Sequence, residues 1–351
     1  MAKNIVLCLD GTGNEVKAKG NTNVLRLYEM LDVSNTAQQV AFYDPGVGTF
    51  AAPGAWTPLS RRFSKVLGLA FGYGIKTNLE EAYTYLMQHY EPGDKIHIFG
   101  FSRGAFTARA LTGMSHRAGL MRPGAENLVP YLVRSYTKGS DWSGDDWEKI
   151  DHFARTFSHL HEGSHSLPIH FLGLWDSVKA LGYLRLDPKW PYTRVLPNAR
   201  TIRHAVSIDE RRRPFEEYLV DPTEASDLRE AWFAGVHSDV GGGFTWEGGL
   251  ADIALKWMVD GALDRGIHLA PGAYRKRCEV TAENAEGTIH EMGTIWALLG
   301  HRSRPIEPED ARIHESVKDR MAADPGYEIG ADLSSVRWED PDWTNPHPDA
   351  P

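Results

Sequence analysis

Gly93-Asp94-Lys95-Ile96-His97-Ile98-Phe99-Gly100-Phe101-Ser102-Arg103-Gly104-Ala105-Phe106-Thr107-Ala108-Arg109-Ala110-Leu111 is the stretch that decides the fold. A turn-forming Gly-Asp pair leads into Lys95–Phe99, which reads as a strand, and helical spacing begins at Ala105. Between the two, Gly100–Gly104 spells G-x-S-x-G. In a strand–turn–helix setting that motif exposes a serine hydroxyl on a sharp turn, and its glycines avoid collisions with neighbouring backbone. The plainer reading is a glycine-rich helix start with a capping serine. The position, directly after a strand and before a helix, favours the sharp turn.

Working outward, Ile5–Leu9 is an unbroken apolar run ending at Asp10-Gly11-Thr12-Gly13-Asn14, the pattern of a strand buried on both faces. Val24, Leu25, Leu27, Tyr28 and Leu31 recur at helical spacing, Val40–Tyr43 repeats the strand pattern, and a helix stripe from Thr77 precedes Lys95. Ile169–Trp175 is another apolar run and stops at Asp176; Ala231–Val236 is one more and stops at His237. Residues 249–264 read as a helix again. Alternating strands and helices predict an α/β fold with a mostly parallel central sheet and helices on both faces. Polar residues at strand ends then fall on the edge where sites form in open α/β sheets.

A serine hydroxyl is a weak nucleophile until a histidine takes its proton and a carboxylate orients that histidine. Asp176 is the expected acid, because an unpaired carboxylate at the end of a buried strand is costly. Asp10 is the alternative. His237 is the expected base, in the glycine-rich loop Gly235–Gly243. For the oxyanion, the backbone N–H of Arg103 supplies one expected donor, and Gly11 or Thr12 the other. The histidines of Ser158–His165 match no metal-site spacing, and the chain has neither a phosphate loop nor a dinucleotide-binding glycine motif. No metal or cofactor is expected. The mixed-sign run Asp209–Arg213 reads as ion pairs.

The 351 residues carry 38 Lys+Arg against 47 Asp+Glu, a formal charge of −9. That sign repels nucleic acid and gives no attraction to anionic bilayers, so membrane contact is expected to be weak and hydrophobic. Two cysteines, Cys8 and Cys278, exclude a disulfide scaffold. The apolar run before Asp10 is too short for a signal peptide, so a cytoplasmic location is expected.

Six blocks stand in order: VLCLDGTGN, GDKIHIFGFSRGAFTARAL, FLGLWDSVKALG, HAVSIDERRRPF, WFAGVHSDVGGGF with LADIALKWMV, and IHESVKDR. Together, over roughly residues 4–338, they resemble a family of uncharacterised α/β hydrolases of bacteria and fungi. That family includes the catalytic domain of type VI secretion phospholipase effectors. The resemblance implies an α/β-hydrolase-like fold with loop or lid insertions, Ser102 as nucleophile, Asp176 as acid and His237 as base. Where the family pattern usually has threonine and glycine after the Trp-Asp pair, this chain has Ser177 and Lys179. The expected organisation is one catalytic domain over 1–338, with 46–74 and 116–165 as candidate lid or insert segments and a polar tail over 339–351. The expected activity is serine-dependent hydrolysis of carboxylic esters through an acyl-enzyme, on a small-molecule or lipid ester, phospholipids included. The alternatives are a hydrolase of soluble short-chain esters, thioesters or amides, and a binding protein that keeps the turn without turnover. An apolar pocket or lid is expected from 46–74 and from the stretch around Trp142 and Trp147.

Overall fold

The computed structural model describes residues 2–11, 17, 19–46, 71–139, 142–161, 163–178, 189–222, 227–244, 249–291, 302–306 and 311–351. Thr12, Lys179 and most of the candidate lid 46–74 lie outside them.

The apolar run at the N-terminus forms β1 (Asn4–Leu9), every residue of which is buried. Side chains alternate across a strand, and here both sides are covered. Ile5, Leu7 and Leu9 enter one apolar cluster; Val6 and Cys8 enter the other. The remaining strands are β2 (Gln39–Asp44), β3 (Lys95–Phe101), β4 (Phe171–Trp175), β5 (Thr201–Ser207), β6 (Asp227–Phe233), β7 (Arg312–His314) and β8 (Arg337–Glu339). They make one sheet in the order β2-β1-β3-β4-β5-β6-β7-β8, and every pairing is parallel.

Among the described residues the α-helices, in chain order, are α1 (Asn23–Met30), α2 (Phe71–His89), α3 (Arg103–Ala118), α4 (Val129–Tyr136), α5 (Gly144–Phe157), α6 (His237–Gly241), α7 (Leu250–Leu263), α8 (Ala273–Cys278) and α9 (Glu315–Ala323). Leu79, Leu86, Ala108, Leu111, Leu132 and Ile150 place α2 to α5 on one face of the sheet. Val24, Leu255, Met258, Tyr274 and Val317 place α1, α7, α8 and α9 on the other. The segment 116–165 therefore contributes helices to a packed layer. Val129, Leu132, Val133 and Tyr136, spaced at one helical face, are all buried.

Residues 339–351, read from the sequence as a polar tail, begin inside β8. Trp343 is buried in the second cluster, and its indole N–H donates to Asp319 at 2.9 Å. Both cysteines are free and buried. No helix among the described residues is long and apolar enough to cross a membrane.

The strand order positions the site. The chain steps from β1 outward to β2, then returns to lay β3 on the opposite side of β1. At such a reversal the loops leaving neighbouring strands diverge to opposite faces and open a crevice at the strands' carboxyl ends. The loops after β1 and β3, with Gly11 and Ser102, leave the sheet at that reversal. Gly104 lets the first turn of α3 come down on the end of β1: a Cβ there would stand 2.1 Å from the Leu9 carbonyl oxygen and 2.6 Å from that of Asp10. Neither backbone atom can yield as a flexible side chain would. Gly104→Ala is expected to cost about 3 kcal/mol, the upper end of ordinary overpacking. Urea unfolding at neutral pH, compared with an exposed control such as Gly330→Ala, where a Cβ meets nothing within 4 Å, measures it.

Candidate active site

Ser102 stands between β3 and α3 with φ 59° and ψ −120°. Left-handed backbone is rare for a residue with a side chain and costs on the order of 1–3 kcal/mol, so it persists only where the surroundings enforce it. Gly100 is part of that enforcement, since a Cβ there would lie 2.6 Å from the Gly104 carbonyl oxygen. The Ser102 side chain makes no capping bond to α3, against the plainer of the two readings of the motif. Its backbone N–H donates to the Trp175 carbonyl at 3.0 Å, which ties the turn to the end of β4.

Asp176 follows Trp175, also with positive φ, at 38°. Its carboxylate is fully buried. Oδ1 accepts from the Ser207 N–H at 2.9 Å and from Arg304 Nη1 at 2.6 Å. Oδ2 lies 2.5 Å from His237 Nδ1 and 3.1 Å from Arg304 Nη2. Burial alone would raise the carboxyl's proton affinity; the Arg304 charge and the His237 bond outweigh it and hold the group well below the usual carboxylate range. An ionised carboxylate only accepts, so Nδ1 of His237 carries the hydrogen and Nε2 keeps its lone pair.

His237 begins α6 and is itself buried. Burial pushes its pKa below the ordinary value, against the pull of Asp176, so the ring is neutral at neutral pH. Phe101, the residue before Ser102, lies 4.6 Å from it centroid to centroid, and Phe215 meets it edge-on at 4.9 Å. Gly241 in the same helix has no room for a side chain: a Cβ would meet the Phe101 ring at 1.9 Å. The histidine's helix is thus seated on the residue next to the serine.

The run Asp209–Arg213 does contain an ion pair, but with a second role that its sequence did not disclose. Glu210, paired with Arg212 at 2.7 Å, also accepts the backbone N–H of His237 at 3.2 Å. Asp209 accepts the Gly235 N–H at 2.7 Å. Arg212 stacks 3.7 Å over Phe215, which completes a pile of Arg212, Phe215, His237 and Phe101.

Beneath Asp176, His204 Nε2 accepts the Ser177 N–H at 3.1 Å, and its Nδ1 lies 2.7 Å from Glu230. Burial lowers the His204 pKa, which keeps Nε2 available as an acceptor. This bond fixes the peptide that follows the strained Asp176.

Asp10 is engaged elsewhere. It accepts from Tyr43 Oη at 2.9 Å, from the Thr22 hydroxyl and from the Gly11 N–H at 2.6 Å. It orients the loop after β1, while Asp176 is the carboxylate bonded to His237. The Gly11 N–H, an expected oxyanion donor, is directed to Asp10 in this state; Thr12 is outside the described residues. Arg103 opens the 16-residue α3 directly after Ser102, where the helix presents partial positive charge. Trp142 and Trp147 stack on each other at 4.4 Å, with Arg117 over Trp147 at 4.9 Å. Arg117 is in the last turn of α3, roughly 20 Å along the helix from Ser102 at 1.5 Å per residue. Those tryptophans pack the far end of α3 and do not line the crevice.

Residues 3–261 match the profile of the type VI secretion Tle1-like phospholipase effector catalytic domain, and the chain belongs to that family. The uncharacterized protein YEL023C of Saccharomyces cerevisiae is 36% identical over 226 residues, 63% of this chain and 33% of that protein. The chain thus spans about a third of the length of this curated relative. Among solved structures, an uncharacterized protein from Pseudomonas aeruginosa is similar with TM-score 0.47 and 21% identity, covering 81% of this chain and 49% of that one. A Tle1 effector bound to the VgrG spike is similar with TM-score 0.47 and 14% identity, covering 84% of this chain and 82% of that one.

Removing the Asp176 charge should unbalance a buried ion pair. Asp176→Asn keeps the shape but leaves Arg304 uncompensated on that side, and breaking one partner of such a pair costs about 3–5 kcal/mol. The folded Asp176 holds its proton less tightly than the unfolded chain does, so its contribution is complete above the unfolded value of about 4 and is lost as pH falls below it. Urea unfolding should therefore show a large deficit for Asp176→Asn at pH 7 that narrows below pH 4.

Proposed function

We propose that the protein is a serine-dependent carboxylic-ester hydrolase acting on lipid esters, with Ser102 as nucleophile, His237 as general base and Asp176 as the acid that orients it. The observation that carries this reading is the 2.5 Å contact from His237 Nδ1 to Asp176, with the His237 ring packed on Phe101, the residue before a serine that stands on left-handed backbone and makes no capping bond. In the first half-reaction Nε2 of His237 takes the Ser102 proton as Oγ attacks the ester carbonyl carbon. The oxyanion is met by the Arg103 N–H at the start of α3; for the Gly11 N–H to serve as a second donor it must first leave the Asp10 carboxylate. The tetrahedral intermediate collapses, the alcohol leaves with the proton from His237, and an ester of Ser102 remains. Water, deprotonated by the same histidine, then releases the acid.

Membership in a family of phospholipase effector catalytic domains supports a lipid ester as substrate. The formal charge of −9 gives no electrostatic attraction to an anionic bilayer, so such a substrate would be reached through apolar contact. Residues 1–338 are proposed to act as one catalytic unit, because strands from β1 to β8 share the sheet whose edge carries the site.

A fluorophosphonate probe should label the wild type and leave Ser102→Ala unlabelled; equal labelling of the two would overturn the assignment of the serine. His237→Ala is expected to lose at least 10³-fold in kcat and, because it takes a donor from the buried Asp176, to melt below the wild type while still folding. Fatty-acid release from phosphatidylcholine vesicles, set against soluble esters of rising chain length, tests the lipid reading. Activity confined to the shortest soluble esters would reject that part and leave the serine chemistry standing.

A further inference from the structure

We propose that Arg304 is a positioning residue that sets the proton affinity of His237 by neutralising and orienting Asp176. The inference rests on the reading of Asp176 and His237 as acid and base, and concerns a residue far outside the sequence blocks that point to that pair.

Arg304 is buried, and its guanidinium is almost fully committed around one carboxylate. Nη1 donates to Asp176 Oδ1 at 2.6 Å, to the Ser207 hydroxyl at 2.7 Å and to the Ser207 carbonyl at 3.0 Å. Nη2 donates to Asp176 Oδ2 at 3.1 Å and to the Phe215 carbonyl at 2.5 Å. A planar fork that engages both oxygens fixes the rotation of the carboxylate, which a single-point ammonium cannot do. With the Ser207 N–H as a further donor, Oδ2 is held toward His237 Nδ1.

The same contact decides the charge that the imidazole meets. His237 faces Asp176 from the end of β4, and Glu210 with Arg212 from the segment after β5; the Phe101 and Phe215 rings cover it without charge. Arg304 faces Asp176, Glu210 and Glu217, the last with an oxygen 3.7 Å from Nε. Within this set three carboxylates stand against two guanidinium groups. Without Arg304 only Arg212 would oppose them, and imidazolium would be favoured up to higher pH. The bonded carboxylate can then orient His237 without converting it to imidazolium, and Nε2 stays a proton acceptor into mildly acidic solution.

The test is the midpoint of the His237 titration in wild type, Arg304→Gln and Arg304→Lys. It is read twice: from the pH dependence of the second-order rate of fluorophosphonate labelling, and from the imidazole resonances by NMR. Arg304→Gln should move the midpoint up by about one pH unit or more, because it removes a cation that offsets the Asp176 carboxylate facing the imidazolium. Labelling one unit below the new midpoint should fall about tenfold. Arg304→Lys, which keeps the charge and loses the fork, should titrate close to wild type yet label more slowly at its plateau. A folded Arg304→Gln with an unchanged midpoint overturns the proposal. Should Arg304→Gln fail to fold, Arg304→Lys decides: slower plateau labelling at a wild-type midpoint supports the proposal, and plateau labelling equal to the wild type contradicts it. A wild type that takes no probe would sink the serine-hydrolase reading, while the NMR titration still decides the role of Arg304.

Discussion

The fully buried carboxylate of Asp176 is the constraint on which the site rests. Away from water an ionised carboxylate is tolerable only when paired and fully hydrogen-bonded. Asp176 meets that condition with donors from Ser207 at the end of β5, His237 after β6 and Arg304 further along the chain. The cost of leaving any donor out binds these loops together. The ends of β4, β5 and β6 must stand in register for the carboxylate to be satisfied, so the site depends on the pairing of the central strands.

Two residues absorb the backbone strain of this arrangement. Ser102 and Asp176 both have positive φ, and the N–H of the first bonds to the carbonyl preceding the second. Each is followed by a peptide anchored from below or behind, by α3 for Ser102 and by the His204–Glu230 pair for Asp176. Strain held in this way keeps a hydroxyl and a carboxylate from relaxing into ordinary turns. The aromatic pile of Phe101, His237 and Phe215 adds the third side chain without a flexible joint. The resulting crevice lies where strand order reverses, which fixes its position by topology as much as by side chains.

The parts of this architecture that repeat at a strong period were legible in the sequence. β1 and β4 are buried on both faces and read as unbroken apolar runs that end on Asp10 and Asp176, and β3 was legible from Ile96, Ile98 and Phe99 and from the motif that follows it, although Lys95 and His97 interrupt it. β5 escaped that reading because Arg203 and His204 interrupt it; both are buried, and His204 is satisfied by Glu230 and Ser177. β7 and β8 are three residues each, too short to show a period of two. Asp176 and His237 were visible as strand-end residues, but Arg304 sits in a polar stretch with no periodicity and is found only through its contacts. Glu210 was readable as an ion-pair partner of Arg212, and its hold on the His237 backbone was not, because the two meet through tertiary structure.

The central claim, that a covalent ester forms on Ser102, is tested most directly by mixing the protein with an activated ester, quenching in acid within the first turnover, and locating the acyl group by peptide mass mapping. An acyl increment is expected on the peptide containing Ser102, absent in Ser102→Ala and accumulating before free acid appears. Hydrolysis at full rate with no acylated peptide, or with the acyl group on another residue, would contradict it.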